Sequence, residues 1–383
     1  MRVGGAWLDA PGPRALLAAL RAEGYRGLYV GGCVRDAALG RPVADIDAST
    51  DALPPEVMRI AAAAGFRTVP TGIDHGTVTV LAGDTPVEVT TFRRDVETDG
   101  RRAVVAFSTR IEDDAMRRDL TMNALYAEAD GTVVDPLGGW DDLVARRVRF
   151  VGDPHERIVE DYLRILRFFR FHAWFGAPGG GIDPEGLAAS AELAEGLERI
   201  ARERIGAEML KLLSAPDPAP AVATMGQAGI LMRCLPGAGW TALAPLVHLE
   251  GEAGVAPDAL RRLAAIGGQN VRSALRLSRA DARRLNVLRA GVEGSAGPAE
   301  IAWRHCAGTA WDVALLRAAV MGQPLDADLG ARIARGAAAE FPIGGGDLAA
   351  YQGADVGKRL RALQSEWIAS DFTLDRKALL ARA

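Results

Sequence analysis

Leu28 to Asp47 reads LYVGGCVRDAALGRPVADID, and the order of its parts decides the fold around it. A short apolar run enters a Gly-Gly turn, the turn opens an arginine-bearing helix, and a strand-like segment then delivers two aspartates two residues apart. Successive side chains of a strand point to opposite faces, so Asp45 and Asp47 share one face about 6.6 Å apart at about 3.3 Å rise per residue. Two carboxylates at that separation can hold one or two divalent cations. Gly31 and Gly32 permit close backbone approach, and N–H groups at the start of the next helix favour a phosphate. Together these parts suit metal-dependent chemistry on a nucleoside triphosphate. Taken singly, a Gly-Gly is commonly only a turn and an Asp-x-Asp only a solvated loop. The stretch contains neither Gly-x4-Gly-Lys-Ser/Thr nor Gly-x-Gly-x-x-Gly, which sets aside a Walker phosphate loop and a Rossmann fingerprint.

The 383 residues exceed one ordinary domain; at roughly 100–200 residues per domain they suggest two to four units. A hydrophobic content of 49% is ample for sizeable cores, and a net charge of −4 gives no global basic signature. Any nucleic-acid partner must therefore be held by a local patch. Cys33, Cys234 and Cys306 form no Cys-x-x-Cys pair, so neither a zinc site nor a disulfide framework is indicated. No basic, apolar, cleavable leader opens the sequence and no apolar run reaches about 18 residues. The expectation is a soluble, cytoplasmic protein.

Working outward, PRALLAALRAE from Pro13 to Glu23 has helical spacing and a stop at Gly24. Cys33 to Leu39 reads as a short helix ended by Gly40. Arg35 then sits in its first turns, beside any bound phosphate or else paired with Asp36. A helix is expected from Pro54 to Gly65, and the β-branched runs around Gly83-Asp84 predict a hairpin. On its second strand Glu88 either completes a metal triad with Asp45 and Asp47 or faces solvent. His75 has no ligand-spaced partner and reads as a turn or core residue. The charged stretch from Arg93 to Arg110, with Asp99-Gly100 inside it, reads as a loop. Glu112, Asp113 and Asp114 suit a helix start. RRDLTMNALY, residues 117–126, reads by composition as a surface helix turning inward, and Asp130-Gly131 marks another hairpin.

Beyond Val151 helical periodicity takes over. In EDYLRILRFFRF, Glu160 to Phe171, one continuous helix would step Asp161, Arg164 and Arg167 round by about 60° each, giving a polar face of about 120°. Arg170 would fall about 180° from Asp161. A carboxylate accepts from an exocyclic amine and a guanidinium donates to ring nitrogens or carbonyls. Cytosine and adenine offer an amine where uracil and guanine present a carbonyl. Such a face can favour C and A, although an amphipathic helix with i,i+3 ion pairs has the same pattern. Leu197 to Leu213 reads as a charged supporting helix, and the prolines at 216–220 as a hinge. From Leu260 to Ala290 eight arginines (261, 262, 272, 276, 279, 283, 284 and 289) meet the single acid Asp281. This is either a phosphate-neutralising RNA patch, with Arg272, Arg276, Arg283 and Arg284 as candidates, or a solvated helical surface.

GGCVRDAALGRPVADID, RRDLTMNALY and EDYLRILR, in that order, resemble the nucleotidyltransferase superfamily that includes DNA polymerase β. The version resembled is that of bacterial CCA-adding tRNA nucleotidyltransferases and poly(A) polymerases, and the likeness is strongest in residues 28–47, 88–125 and 160–167. The resemblance implies an α+β fold: a catalytic head with a small mixed sheet (1–150), a helical neck that recognises the base (151–215), a helical, tRNA-binding body (216–310) and a helical tail (311–383). It implies addition of C, C and A to the tRNA 3′ end from CTP and ATP, with release of pyrophosphate. Asp45 and Asp47 would be the catalytic metal ligands, holding Mg²⁺, with Glu88 as candidate third carboxylate. Gly32, Arg35 and Arg118 would place the nucleotide, supported by Asp119 and Asn123, and Asp161, Arg164 and Arg167 would read its base. The region 93–110 would be a mobile loop beside the site. Partners implied are tRNA, CTP and ATP, with no membrane and no obligate protein partner. Two other readings stand beside this one: poly(A) polymerase, and a non-catalytic RNA-binding protein on the same scaffold.

Overall fold

A computed structural model describes residues 1–99 and 102–383, with side chains from 95 to 105 outside the description. The chain divides into two compact units, Met1–Pro236 and Gly237–Ala383.

The first unit is built on strands β1 (Gly27–Val30), β2 (Ile46–Thr50), β3 (Arg67–Gly72), β4 (Thr77–Ala82), β5 (Thr85–Thr91), β6 (Arg93–Asp99), β7 (Arg102–Phe107), β8 (Tyr126–Ala127) and β9 (Val133–Val134). Seven of them form one mixed sheet in the order β3-β4-β5-β2-β1-β8-β9, in which β2 and β5 are parallel and the other pairs antiparallel. Alternation gives the sheet two chemically distinct faces. Ala48, Val78, Val80, Val87 and Val89 are fully buried on one, beneath α1 (Pro11–Ala22) and α3 (Pro54–Ala63). Each large apolar side chain buried there contributes about 1.5–3 kcal/mol. Asp47, Ser49, Glu88 and Thr79 occupy the other face, because Asp47 pairs with Glu88 and Glu88 with Thr79. A one-residue slip of β2 would turn Asp47 into the core, so hydrophobic burial on one face fixes the acid on the other. The sheet and the helices that follow it make the α+β architecture expected from the sequence.

The hairpins around Gly83 and Gly131 are present, with both glycines at left-handed φ (67° and 85°). Two expectations between β5 and β8 are corrected. The stretch 93–110, expected to be a loop, carries the antiparallel ribbon β6-β7, paired from Arg93↔Phe107 to Asp99↔Arg102. Antiparallel strands need not be buried on both faces, so a charge-rich sequence can form them. Gly100 and Arg101, part of the Asp99-Gly100 turn signal, lie outside the described residues. RRDLTMNALY is likewise no surface helix. After α4 (Ile111–Met116) the chain makes a single 3₁₀ turn, Thr121–Asn123, and enters β8, with residues 119–127 all buried.

Helices α2 (Gly32–Ala38), α5 (Gly139–Val144), α6 (Pro154–Glu160), α7 (Leu163–Phe175), α8 (Pro184–Glu192), α9 (Arg202–Leu213), α10 (Ala219–Gln227) and α11 (Ile230–Cys234) complete the unit. Asp161 stands between α6 and α7 with extended backbone (φ −154°, ψ 103°), so the continuous helix expected over 160–171 is broken at the residue that mattered most. Its carboxylate accepts from Leu163 N at 3.1 Å and its carbonyl from Arg164 N at 2.9 Å, which caps α7 and stabilises the break. Phe168, stacked on Phe150 at 5.2 Å, anchors α7 in the core.

The second unit is helical: α12 (Leu243–Glu252), α13 (Ala259–Ile266), α14 (Val271–Ala274), α15 (Arg279–Glu293), α16 (Pro298–Arg304), α17 (Ala307–Met321), α18 (Leu329–Ala338), α19 (Ala354–Ala369) and α20 (Arg376–Leu380). One core gathers Leu246, Leu288, Ile301, Val313 and Leu316; a smaller one centres on Trp367, which meets Trp303, Phe341 and Phe372 edge-on. Residues 310 and 311 lie inside α17. Among the described residues no helix is long and apolar enough to cross a membrane.

Candidate active site

A cavity of about 350 Å³ opens on the polar face of the sheet. Gly31 and Gly32 form its turn, Asp47 comes from β2, Arg118 and Asn123 from the segment before β8, and Asp161, Arg164 and Arg167 from the α6–α7 break and the first turns of α7. Three segments far apart in sequence thus share one space.

Gly31 carries the conformational requirement at the turn: its φ of 71° with ψ of −117° is foreign to other residues, and a Cβ there would stand 3.2 Å from Arg118 Nη1. Gly32, the residue singled out from the sequence, lines the cavity and would bring a Cβ into only ordinary contact. Arg35 follows in α2. It donates to both oxygens of Asp36 at 3.0 Å and from Nη1 to Asn123 Oδ1 at 2.7 Å, and its guanidinium lies 4.2 Å from the Phe175 ring centroid. The Asp36 pair and the place in the cavity therefore coexist. Burial lowers its pKa, with Asp36 opposing.

Asp47 is half-buried, and its pKa is raised first by burial, then by the charge of Glu88 across the parallel pair and, more weakly, by Asp45; Arg118 pulls the other way. Asp45 precedes β2, is exposed and stands outside the lining residues. Glu88 is exposed. Among the described residues no group of three His, Cys, Asp or Glu is disposed as a ready metal cage. Asp47, with the Glu88 and Asp45 charges opposing its ionisation, is nonetheless a hard oxygen donor beside two further carboxylates, which fits a divalent cation.

Arg118 is clamped from below. It donates to Asp114 at 2.9 Å and to the Tyr126 hydroxyl at 3.2 Å, while that hydroxyl donates to Asp114 at 2.6 Å. Burial pulls the Arg118 pKa down, but Asp114 and Tyr126 outweigh it and the net shift is upward. The sequence marks Asp114 only as a helix-start acid and gives Tyr126 no role; the i,i+4 spacing of Asp114 and Arg118 was the available signal. Asp119 holds Arg167 Nε at 2.5 Å and takes Asn123 Nδ2 at 3.0 Å. Asp161 is gripped by Arg204 of α9 at 2.6 and 3.3 Å, a partner 43 residues away with no sequence signal linking the two. Arg164 donates to Glu160, to Arg157 O at 2.8 Å and to Arg117 O at 3.2 Å. Arg170 turns aside to Glu208 at 2.5 Å.

The eight-arginine stretch does not form one patch. Arg261 and Arg262 are buried against Glu250 and Asp312, and Arg284 pairs with Asp258 and Asp312 at 2.8 Å each. Arg283 is exposed on α15, and Arg272 and Arg276 line a separate cavity with Arg289.

Residues 28–149 match the poly A polymerase head domain, and residues 181–239 match the probable RNA and SrmB-binding site of polymerase A. The mitochondrial CCA tRNA nucleotidyltransferase 1 of Danio rerio is 47% identical over 184 residues, 48% of this chain and 43% of that protein. The CCA-adding enzyme of Levilactobacillus brevis is 42% identical over 223 residues, 58% of this chain and 54% of its own length. The chain thus spans about half the length of the curated relatives it matches. The crystal structure of the Bacillus stearothermophilus CCA-adding enzyme in complex with CTP superposes with a TM-score of 0.74 at 27% identity, covering 97% of this chain and 95% of that one. CCA-adding nucleotidyltransferases as a family use divalent metal ions.

Proposed function

We propose, from the match of residues 28–149 to the poly A polymerase head domain, that this protein adds C, C and A to the 3′ end of tRNA. The substrates would be CTP and ATP, the cofactor Mg²⁺, and the released product pyrophosphate. The reading is supported by the relatives at 42–47% identity. The single observation that carries it is a cavity joining Asp47 to Asp161, Arg164 and Arg167, a metal-binding acid beside a base-reading set.

Asp47 and Asp45 would hold the metal, with Glu88 the nearest further carboxylate. When bound, the cation supplies charge neutralisation at the triphosphate and acidity at the terminal RNA hydroxyl. Arg118 is fixed before substrate arrives, so its guanidinium needs little reorganisation to meet a phosphate. Arg35 and the backbone at Gly31–Gly32 line the same cavity. Asp161 keeps lone pairs beyond those used by Arg204 and Leu163 N, and these can accept the amine of cytosine or adenine. Arg167 commits Nε to Asp119, which leaves its Nη pair as donors to the base edge. Discrimination then needs no nucleic-acid template. Three free cysteines suit a reducing compartment, and we place the protein in the cytoplasm.

The test is an incubation of tRNAs ending before C, CC or CCA with each NTP separately. Addition should stop after one complete CCA. Long A tails from ATP alone would replace the reading with poly(A) polymerase, and no incorporation would leave a non-catalytic RNA-binding protein.

A further inference from the structure

Asp114, Arg118 and Tyr126 close a ring of hydrogen bonds behind the cavity that holds Asp47. Arg118 donates from Nη2 to Asp114 Oδ2 at 2.9 Å, and from Nε to the same oxygen at 3.3 Å and to the Tyr126 hydroxyl at 3.2 Å. That hydroxyl donates to Asp114 Oδ2 at 2.6 Å. One carboxylate oxygen thus gathers three donors, and each of the three groups is held by the other two. Tyr126 is fully buried, with its ring edge-on to Phe92 at 6.4 Å in an apolar cluster that includes Leu28, Val30 and Ile111. Packing of the ring therefore fixes where the hydroxyl stands.

What the ring leaves of the guanidinium faces the site. Nη1 donates to Asn123 O at 3.3 Å, and Nη2 lies 3.5 Å from Ser49 Oγ. A Cβ on Gly31 would stand 3.2 Å from Nη1, so Nη1 lies against the Gly-Gly turn. Ser49 follows Asp47 by two residues on β2 and shares its face. Of the five N–H groups, one on Nη1 is uncommitted among the described residues and one on Nη2 has only the long Ser49 contact. They stand at the turn and at the strand that carries Asp47, the two places from which a triphosphate would be held.

We propose that Tyr126 is a positioning residue for the nucleotide: with Asp114 it aims the two remaining Arg118 donors at the triphosphate. The inference rests on the nucleotide-transferring function above. Without the hydroxyl Asp114 still neutralises Arg118, but Nε loses its second acceptor and the guanidinium can pivot on the single oxygen that remains. The cost falls on the phosphates and not on the base, because Asp161, Arg164 and Arg167 are held by other partners: Arg204, Glu160 and Asp119.

Tyr126→Phe keeps the ring and removes only the hydroxyl. Equilibrium dialysis of the full chain against CTP and, separately, against CMP, both with Mg²⁺, reads the phosphate contact as the ratio of the two dissociation constants. CTP binding should weaken about tenfold, the worth of one hydrogen bond to a charged group, while CMP binding changes by less than about twofold. In tRNA extension the loss should fall on KM for CTP and ATP alike, with kcat retained. Asp114→Asn carries the same expectation and keeps the test open if a thermal melt shows that Tyr126→Phe does not fold. Equal weakening of CTP and CMP would mean a general loosening of the site and overturns the proposal, as does unchanged CTP binding in a folded variant. If the parent binds CTP but extends no tRNA, the CCA reading falls alone and the dialysis still decides the role of Tyr126. A parent that extends tRNA yet binds CTP no better than CMP overturns the positioning role and leaves the CCA reading standing.

Discussion

Arg261 and Arg262 in the second unit and Arg164 and Arg167 in the first all meet carboxylates, yet their surroundings make them different objects. Glu250 is held by Arg261 Nε at 2.8 Å and Arg262 Nη2 at 2.7 Å, and Asp312 by Arg261 Nη1 and Arg284 Nη2 at 2.8 Å each. The Arg261 and Arg262 side chains keep 3% and 1% of their exposure. In the first unit, Arg167 keeps 33% beside Asp119, and Asp161 and Arg204 keep 26% and 27%. The part of that network formed by Arg261, Arg262 and Glu250, sealed from solvent, offers nothing to a ligand; a half-open one holds its groups in position while leaving donors and acceptors toward the cavity. Pairing therefore does not distinguish a structural arginine from a functional one. Exposure of the pair toward a shared space does.

The largest effect should come from removing the metal-binding acid. Asp47→Ala is expected to lower kcat/KM for nucleotide addition by at least about 10³-fold, since metal-assisted charge stabilisation is worth several kcal/mol. Its melting temperature should hold or rise, because the carboxylate is half-buried among like charges. Incorporation intact in this variant would remove the site from the open half of the comparison. Glu250→Ala should act in the opposite sense. It removes the carboxylate that holds both Arg261 and Arg262 in the core and is expected to destabilise the second unit by about 3–5 kcal/mol in urea denaturation. A loss below about 1 kcal/mol would mean that the network behaves as a surface pair.

The first unit was legible in the sequence where local rules dominate. Gly83 and Gly131 announced their hairpins, and the stop at Gly24 sits one residue beyond the Glu23 cap of α1. Asp47 faces the cavity because period-two alternation buries Ile46 and Ala48. What escaped depended on long-range partners. Asp161 keeps the α6–α7 break through its own cap, while Arg204 reaches it from another helix; a helical wheel contains neither fact. The ribbon β6-β7 escaped because charge suppresses the periodic signal even where strands pair. The arginine run was legible only as a count: composition does not show the acids, such as Glu250 and Asp312, that lie outside the window and bury Arg261 and Arg262.

Intermediate effects fall on base choice. Asp161→Ala should cut the preference for CTP over UTP by about 10–100-fold, the 1–3 kcal/mol of one good base contact, while total incorporation changes less. Single-turnover incorporation with paired nucleotides measures this, and an unchanged CTP:UTP ratio would make Asp161 an Arg204-bound cap and nothing more.

The smallest effect is a pH-dependent one at Asp119, which straddles the two kinds of network. Burial would raise its pKa, but the Arg167 charge and hydrogen bond, helped by Asn123 and Arg164, hold it below the ordinary carboxylate range. A carboxylate depressed in the folded state contributes stability above its unfolded pKa of about 3.9, and loses it as pH falls through the folded value. Asp119→Asn should therefore destabilise by about 1–2 kcal/mol at neutral pH, less than a sealed pair because Arg167 is one-third exposed. The difference between parent and variant should be flat above about pH 5 and narrow below about pH 4 as the parent protonates. Urea denaturation at a series of pH values reads this directly. A gap that stays constant down to about pH 3 would mean that Asp119 holds Arg167 by shape and neutral hydrogen bonding, and that the open network owes its geometry to packing on Phe171 more than to charge.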